Sequence, residues 1–446
     1  MTWSHRSVAV LAAALALTAG LEARQDWRPA ALASFDDVWQ TIDATFPDPS
    51  FGGVNWTAVR DELRPRVEAA ASMEAARGVM RDMLARLHRS HFVLISASAS
   101  EPWPGDAVVP IDVRASPEGV VVTRVPAGST AARAGVTPGA VVESIDGAEA
   151  SAWVTSAQGA DERARALEVW QRAYRALHGP AGSTAVVRLT PAGGPTETVR
   201  VARTAEAGEV VQLGNLPPLH VTTDVRDVQT PASRRVGVIA FDYWLPTVAP
   251  AIDAGVDRFR DADGLVFDLR GNPGGLVLMA SGVAGHVLTT DAVLGVMRQR
   301  GQALTLRANP RLSTADGRRV APFAGPVAIL VDELTASTSE CFAGALQSLG
   351  RARVFGRPTA GQALPAATKA LADGDVLMYA IADFATSTGR TLEGAGVTPD
   401  EVEPLDRTML AAGHDAPLEA ALRWIDAQRG KTDRVLPRRP LVVMLQ

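Results

Sequence analysis

Apolar positions recur at helical spacing three times in the first hundred residues. They do so over Asp36 to Thr45, over Trp56 to Ala71, and over Ala75 to Leu87, where Met80, Met83, Leu84 and Leu87 line one face. The period then changes. His91-Phe92-Val93-Leu94-Ile95 reads as a strand, and Glu101-Pro102-Trp103-Pro104-Gly105 reads as a linker. Between about 106 and 205 the pattern is mostly that of strands and turns. Gly119 to Thr123 is a strand, Ala131 to Gly135 a short helix stopped by glycine, and Val136 to Gly147 a turn, a strand and an Asp-Gly turn. A hairpin over Ala185 to Thr190 and Glu197 to Ala202 closes that region, and a charged helical insertion interrupts it near 151–179. From about 210 to 446 strand and helix alternate. Val236 to Phe241, Leu265 to Leu269, Val327 to Val331 and Ala352 to Phe355 are the strands, with helices near 248–262, 275–288 and 338–349 between them. That alternation predicts an α/β fold of stacked βα units.

At 446 residues the chain is too long for one core, so two or three domains are expected. The predicted division is 1–23 leader, 24–100 helical domain, 106–205 β domain and 210–446 α/β domain. The net charge of −5 and the 47 % hydrophobic content are ordinary for a globular protein, and no basic face suggests nucleic acid. Only Lys369 and Lys431 are lysine, which limits where a catalytic lysine could come from. Arg6 followed by the apolar stretch Val8 to Ala19, with Ala19, Gly20 or Ala23 at the cleavage position, has the form of a secretory signal. No other stretch reaches the roughly 18 apolar residues of a transmembrane helix, so a soluble periplasmic or secreted protein with no stable membrane span is expected. Cys341 is the only cysteine, so no internal disulfide can form, and it reads as a small core side chain. There is no HExxH and no Cys/His cluster, so neither metal nor cofactor is expected.

Two stretches carry chemistry. Val331-Asp332-Glu333-Leu334-Thr335-Ala336-Ser337-Thr338-Ser339-Glu340 follows an apolar run and precedes a helix. Ser337 therefore sits at or near a strand-to-helix junction, where Thr335, Ser337 and Ser339 are either capping hydroxyls alone or, for Ser337, a nucleophile at a place whose free N–H groups and helix dipole favour the oxyanion of an acyl-transfer intermediate. Asp268-Leu269-Arg270-Gly271-Asn272-Pro273-Gly274-Gly275 is a glycine-rich turn between a strand and a helical run, and it exposes further backbone N–H groups. Neither GxGxxG nor GxxxxGK is present, which argues against a phosphate loop.

Together these two stretches resemble the tail-specific (C-terminal-processing) serine peptidases, from about Asp36 to about Leu405. The β region likewise resembles a PDZ domain of the kind bacterial proteases carry. The resemblance implies a crotonase-like (ClpP/crotonase) α/β core, Ser337 as nucleophile, and an oxyanion hole from the N–H of Gly274 or Gly275 with that of Thr338. Asp268 and Arg270 would pair to brace the glycine turn. The lysine that the best-known branch places in a T-F-G-K-G context is here Gln362, in Thr359-Ala360-Gly361-Gln362-Ala363, and glutamine cannot act as a base. The tricorn-like branch has instead a Ser-His pair ahead of its PDZ-like domain and a glutamate near G-V-x-P-D. Ser90-His91 and Glu393, before Gly396-Val397-Thr398-Pro399-Asp400, match that pattern. His91 would be the general base, with Glu393 orienting it through or beside Ser90; His88 is a rival. The implied function is an exported serine endopeptidase acting on an unfolded or C-terminally exposed peptide, with a peptide ligand for the PDZ-like domain. A catalytically silent binding protein on the same scaffold, as in retinoid-binding members, is the alternative. Acyl-CoA chemistry is a third reading, which export disfavours.

Overall fold

The structure is a computed structural model that describes residues 26–97, 104–159 and 161–435. The expected leader lies outside the described residues, as do Glu101 to Trp103 of the expected linker.

The largest sheet has six strands in the order Thr223–Gln229, Arg235–Phe241, Gly264–Asp268, Val327–Val331, Arg353–Gly356 and Glu401–Val402. The first is antiparallel to its neighbour and the others are parallel. Parallel strands covered on both faces read as unbroken apolar runs, and Val327–Val331 is one. Val327, Ile329 and Val331 face one core, which holds Ile252, Val256, Ala280, Val283, Phe342 and Leu346 from three helices. Ala328 and Leu330 face the other, against Ala420, Ala421 and Ile425 of the helix Ala416–Val435.

The β region folds over its own core. Its main path is Asp112–Ser116, Gly119–Arg124, Val141–Ile145, Thr184–Thr190 and Glu197–Ala202, all antiparallel. The insertion consists of the helices Ala150–Ser156 and Glu162–Leu177, and Val169, Ala173 and Leu177 seal the core from above. Arg407 fastens this unit to the C-terminal region. Its guanidinium donates to the carbonyls of Gly139 and Thr190 and to the Glu118 carboxylate.

The helices Trp27–Thr45, Trp56–Glu68 and Met73–Ala85 form the third unit, each started by a side-chain cap from Asp26, Asn55 or Ser72. Their core is not self-contained, because Leu371 and Leu377 from far along the chain complete it. Those residues belong to the hairpin Ala366–Ala370/Val376–Ala380, an element the sequence pattern had not revealed. Val93–Ile95 adds to the same hairpin, with Val93 opposite Met378. Arg77 makes a paired contact with the fully buried Asp375, Nε to Oδ2 at 2.8 Å and Nη2 to Oδ1 at 2.9 Å. Asp375 also accepts the Ala97 N–H. This is the attachment that carries Ser90 and His91 to the α/β region.

Removing one partner of a buried ion pair leaves the other charge uncompensated, which costs about 3–5 kcal/mol. Arg77→Ala should therefore lower the thermal midpoint by several degrees. A midpoint equal to that of the parent protein would show that the pair does not hold this unit in place.

Candidate active site

Ser337 ends the loop after Val327–Val331 and caps the helix Thr338–Ser348. Its backbone is strained, with φ 54° and ψ −119°, a region that costs a non-glycine residue roughly 1–3 kcal/mol. The surroundings over-determine it. The Ser337 N–H donates to the Gln362 carbonyl at 2.7 Å and to Glu340 Oε2 at 3.1 Å. On either side, the Ala336 N–H donates to the Asn272 carbonyl and Ser339 Oγ accepts from Trp244 Nε1. The result is a sharp strand-to-helix elbow that presents a half-buried hydroxyl.

The glycine turn lies directly against this elbow. A Cβ on Gly274 (φ 108°) would fall 2.6 Å from Ser337 Cβ, and one on Gly275 (φ 141°) 2.5 Å from the Trp244 carbonyl oxygen. Only glycine permits this approach. The two expected oxyanion donors are not equivalent. The Gly274 N–H is spent on Asn272 Oδ1 at 2.9 Å. The N–H groups of Gly275 and Thr338 have no hydrogen-bond partner among the described residues, and Gly275 is exposed. Thr338 Oγ1 donates to the Gly275 carbonyl at 2.8 Å, which ties the two donors to one another.

Asp268 and Arg270 do pair, Nε to Oδ1 at 2.8 Å and Nη2 to Oδ2 at 2.6 Å, and Asp415 accepts from the same guanidinium. A second brace comes from the β unit. Arg114 reaches Asp332 at 2.8 Å, and Asp332 accepts the N–H groups of Gly271 in the glycine turn and Leu334 in the serine loop. Burial raises the pKa of Asp332, but Arg114, Arg357 and the Gly271 N–H outweigh it and hold the carboxyl down to about 2.

His91 sits in the left-handed region (φ 61°), which histidine tolerates better than most residues, just before Val93–Ile95. Its Nδ1 is 2.7 Å from Ser90 Oγ. Ser90 Oγ donates to Glu393 Oε2 at 2.9 Å, and the Ser90 N–H donates to Oε1 at 2.8 Å. Ser90 has a single hydroxyl proton, given to Glu393, so neutral His91 must carry its own proton on Nδ1 and leave Nε2 as a free lone pair. Burial lowers the pKa of His91, and the Glu393 carboxylate partly opposes this. No hydrogen bond joins His91 to Ser337 Oγ among the described residues. What relates them is one peptide unit. The Gln362 carbonyl accepts the Ser337 N–H, and the N–H of the same peptide, on Ala363, donates to Glu393 Oε2 at 3.0 Å. His88, by contrast, is exposed.

Sequence reasoning missed Glu340. Its carboxylate is completely buried and accepts from Thr359 Oγ1, from the N–H groups of Gly361 and Gln362 at 2.8 and 2.9 Å, and from the Ser337 N–H. Burial pushes its pKa up to about 7 against these four donors. The only advance signal was an acidic residue three positions after a capping serine.

Residues 235–402 match the profile of Peptidase family S41, and residues 31–85 match that of the Tricorn protease C1 domain. A chloroplastic carboxyl-terminal-processing peptidase 2 of Arabidopsis thaliana is 27 % identical over 386 residues, 83 % of this chain and 68 % of that one. A carboxyl-terminal-processing protease of Picosynechococcus is 27 % identical over 397 residues, 86 % and 87 % of the two chains. The chain carries a Peptidase family S41 domain. It is a serine peptidase on that ground. The fold agrees. The photosystem II D1 C-terminal processing protease superposes with a TM-score of 0.54 at 24 % identity, covering 88 % of this chain and 97 % of that one. Mature CPAF gives 0.58 at 12 % identity, covering 94 % and 99 %.

The S41 match spans Asp268 to Glu393 and so contains the glycine turn, Ser337, Glu340 and Gln362. The tricorn match stops five residues before Ser90. In this S41 peptidase Gly274→Ala should lower kcat by about 100-fold or more, because the added Cβ displaces the serine elbow by close to an ångström or strains it. Near-parental turnover in a steady-state peptidase assay would show that the turn yields without disturbing Ser337.

Proposed function

We propose that this S41 peptidase is an exported endopeptidase that cleaves extended or C-terminally exposed peptides through an acyl-enzyme. Ser337 is the nucleophile, His91 the general base, and Glu393 orients His91 through Ser90. The observation that carries the reading is the hydrogen-bonded run Glu393–Ser90–His91, tied to the Ser337 backbone through the Gln362–Ala363 peptide. Export is inferred from the leader pattern of the sequence. No helix among the described residues is long and apolar enough to cross a membrane. The domain plan follows the sequence reading: a helical N-terminal domain over 24–100, a PDZ-like domain over 106–205 that takes a peptide end, and a crotonase-like catalytic domain over 210–446.

His91 Nε2 takes the Ser337 proton as Oγ bonds to the scissile carbonyl carbon. Negative charge collects on the carbonyl oxygen, where the Gly275 and Thr338 N–H groups receive it at the start of a helix. The carbon–nitrogen bond breaks and His91 returns the proton to the departing amine. Water then attacks the ester, with His91 again accepting a proton, and Ser337 is released. No metal enters this scheme, and Gln362 serves through its backbone.

A fluorophosphonate should label Ser337 stoichiometrically, as read by intact mass and peptide mapping. The adduct should vanish in Ser337→Ala and form at least about 100-fold more slowly in His91→Ala. Labelling that is unchanged in His91→Ala would remove His91 as the base. No adduct at any pH would favour the silent binding protein.

The base acts only when neutral, and burial lowers its pKa below the usual 6.5 or so. Activity should therefore hold at neutral pH and fall on acidification with a midpoint below about 6.5. A kcat/KM profile that is flat from about pH 8 to about pH 5 would overturn the histidine mechanism.

A further inference from the structure

The helical insertion of the β unit does more than cover its core. Its second helix begins at Glu162, with Asp161 capping it by accepting the Ala164 N–H. One residue in, Arg163 leaves the β unit and enters the α/β region. Nη1 donates to the Ala395 carbonyl at 2.7 Å and to the Thr359 carbonyl at 3.3 Å. Nη2 donates to the Gly394 carbonyl at 2.6 Å and to Asp161 Oδ2 at 3.1 Å. Three backbone carbonyls from two loops converge on one guanidinium, whose fixed fork of donors suits that task better than an ammonium.

Both loops belong to the site. Gly394 and Ala395 directly follow Glu393. Thr359 begins the segment whose Gly361, Gln362 and Ala363 backbone groups bind Glu340, Ser337 and Glu393. The loops also hold one another, through the Gly394 N–H on the Gly361 carbonyl and the Val397 N–H on Thr359 Oγ1. The fit around Arg163 is close. A Cβ on Gly396 (φ 69°) would lie 3.0 Å from its Nη1, and one on Gly361 (φ 72°) 3.3 Å away. The Arg163 side chain is 24 % exposed.

We propose that Arg163 is a positioning residue of the peptidase: it pins the Glu393 loop to the Thr359–Ala363 segment and so keeps Glu393 on Ser90 and His91. The site is then completed by a side chain from the insertion of the β unit. The proposal rests on the reading of Glu393 and His91 given above. With the pin removed, Glu393 withdraws from His91. The imidazolium loses a nearby negative charge, its pKa falls, and the acid limb of activity moves to lower pH.

The test is fluorophosphonate labelling of Ser337 across pH in the full chain, with the maximal rate constant and the inhibitor's half-saturation measured separately. Arg163→Ala should lower the maximal rate constant by about 10- to 100-fold, leave half-saturation unchanged, and shift the acid limb downward. Glu393→Gln should shift the limb the same way. Arg163→Lys, which keeps the charge but not the fork, should fall between Arg163→Ala and the parent. It also serves should the alanine variant fail to fold. Arg172→Ala is the control. Among the described residues Arg172 ties only Trp153, Ser156 and Glu168 within the insertion, so labelling should match that of the parent. If Glu393→Gln shifts the profile while Arg163→Ala lowers only the thermal midpoint, the pin is overturned and the Glu393 reading stands. If Glu393→Gln also leaves the profile unmoved, the Glu393 reading falls and takes the pin with it. If Arg172→Ala acts as strongly as Arg163→Ala, the effect belongs to the insertion's stability and not to the contact.

Discussion

A serine held at φ 54° cannot persist unless something over-determines its backbone, and here that is the carboxylate of Glu340. It lies one turn into the helix that Ser337 caps, with no exposed surface and four donors aimed at it. An unpaired buried carboxylate would protonate or disrupt the core. With four hydrogen bonds it becomes a rigid hub. One oxygen takes the Ser337 and Gln362 N–H groups, the other takes Thr359 Oγ1 and the Gly361 N–H. The elbow and the 359–363 segment are thereby made one body. Glu393 attaches to that body through the Ala363 N–H, and the Asp332 and Asn272 braces bring the glycine turn up to it.

The rest of the fold delivers groups to that body from separate units. The helical unit brings Ser90 and His91, held by the pairing of Val93–Ile95 with Val376–Ala380 and by Arg77 on Asp375. The β unit brings Arg114 to Asp332 and Arg163 to the Glu393 loop. Apart from that strand pairing, each of these connections is a charged side chain crossing between units. Apolar packing within each core makes the units stable, but it is non-directional and does not fix how they meet. Paired guanidinium–carboxylate and guanidinium–carbonyl contacts do fix it, because their geometry is narrow. The chain's heavy use of arginine over lysine suits this role.

Legibility in the sequence follows the same division. Three N-terminal helices were visible because their apolar spacing is regular, although the first begins at Trp27 and not at Asp36, and Val327–Val331 was visible because both its faces are buried. The hairpin Val293–Gln299/Gln302–Arg307 was not, since five of the six residues of its second strand are exposed and carry no alternation. Ser337, Ser90, His91 and Glu393 stood out through short motifs, and the structure brings Ser90, His91 and Glu393 into one hydrogen-bonded run. The loss of Gly274 as an oxyanion donor to the Asn272 side chain had no sequence signature. Neither did Arg163, whose partners are carbonyl groups, since every residue has one and nothing marks those that are used.

Position 362 shows why such backbone roles matter. The resemblance places a lysine base there in the best-known branch, and this chain has glutamine. Its peptide groups are nonetheless fully engaged, the N–H on Glu340 and the carbonyl on Ser337. A backbone role is indifferent to the side chain, so the position can exchange lysine for glutamine without loosening the serine. What such an exchange removes is a proton acceptor, and another must arrive by a different route. His91 meets the physical requirements: burial keeps it neutral, the Ser90 hydrogen bond fixes its tautomer, and Glu393 stabilises the charge it would acquire. On the proposed mechanism the glutamine, which serves only through its backbone, and the Ser90–His91 pair, which supplies the base, are two halves of one arrangement.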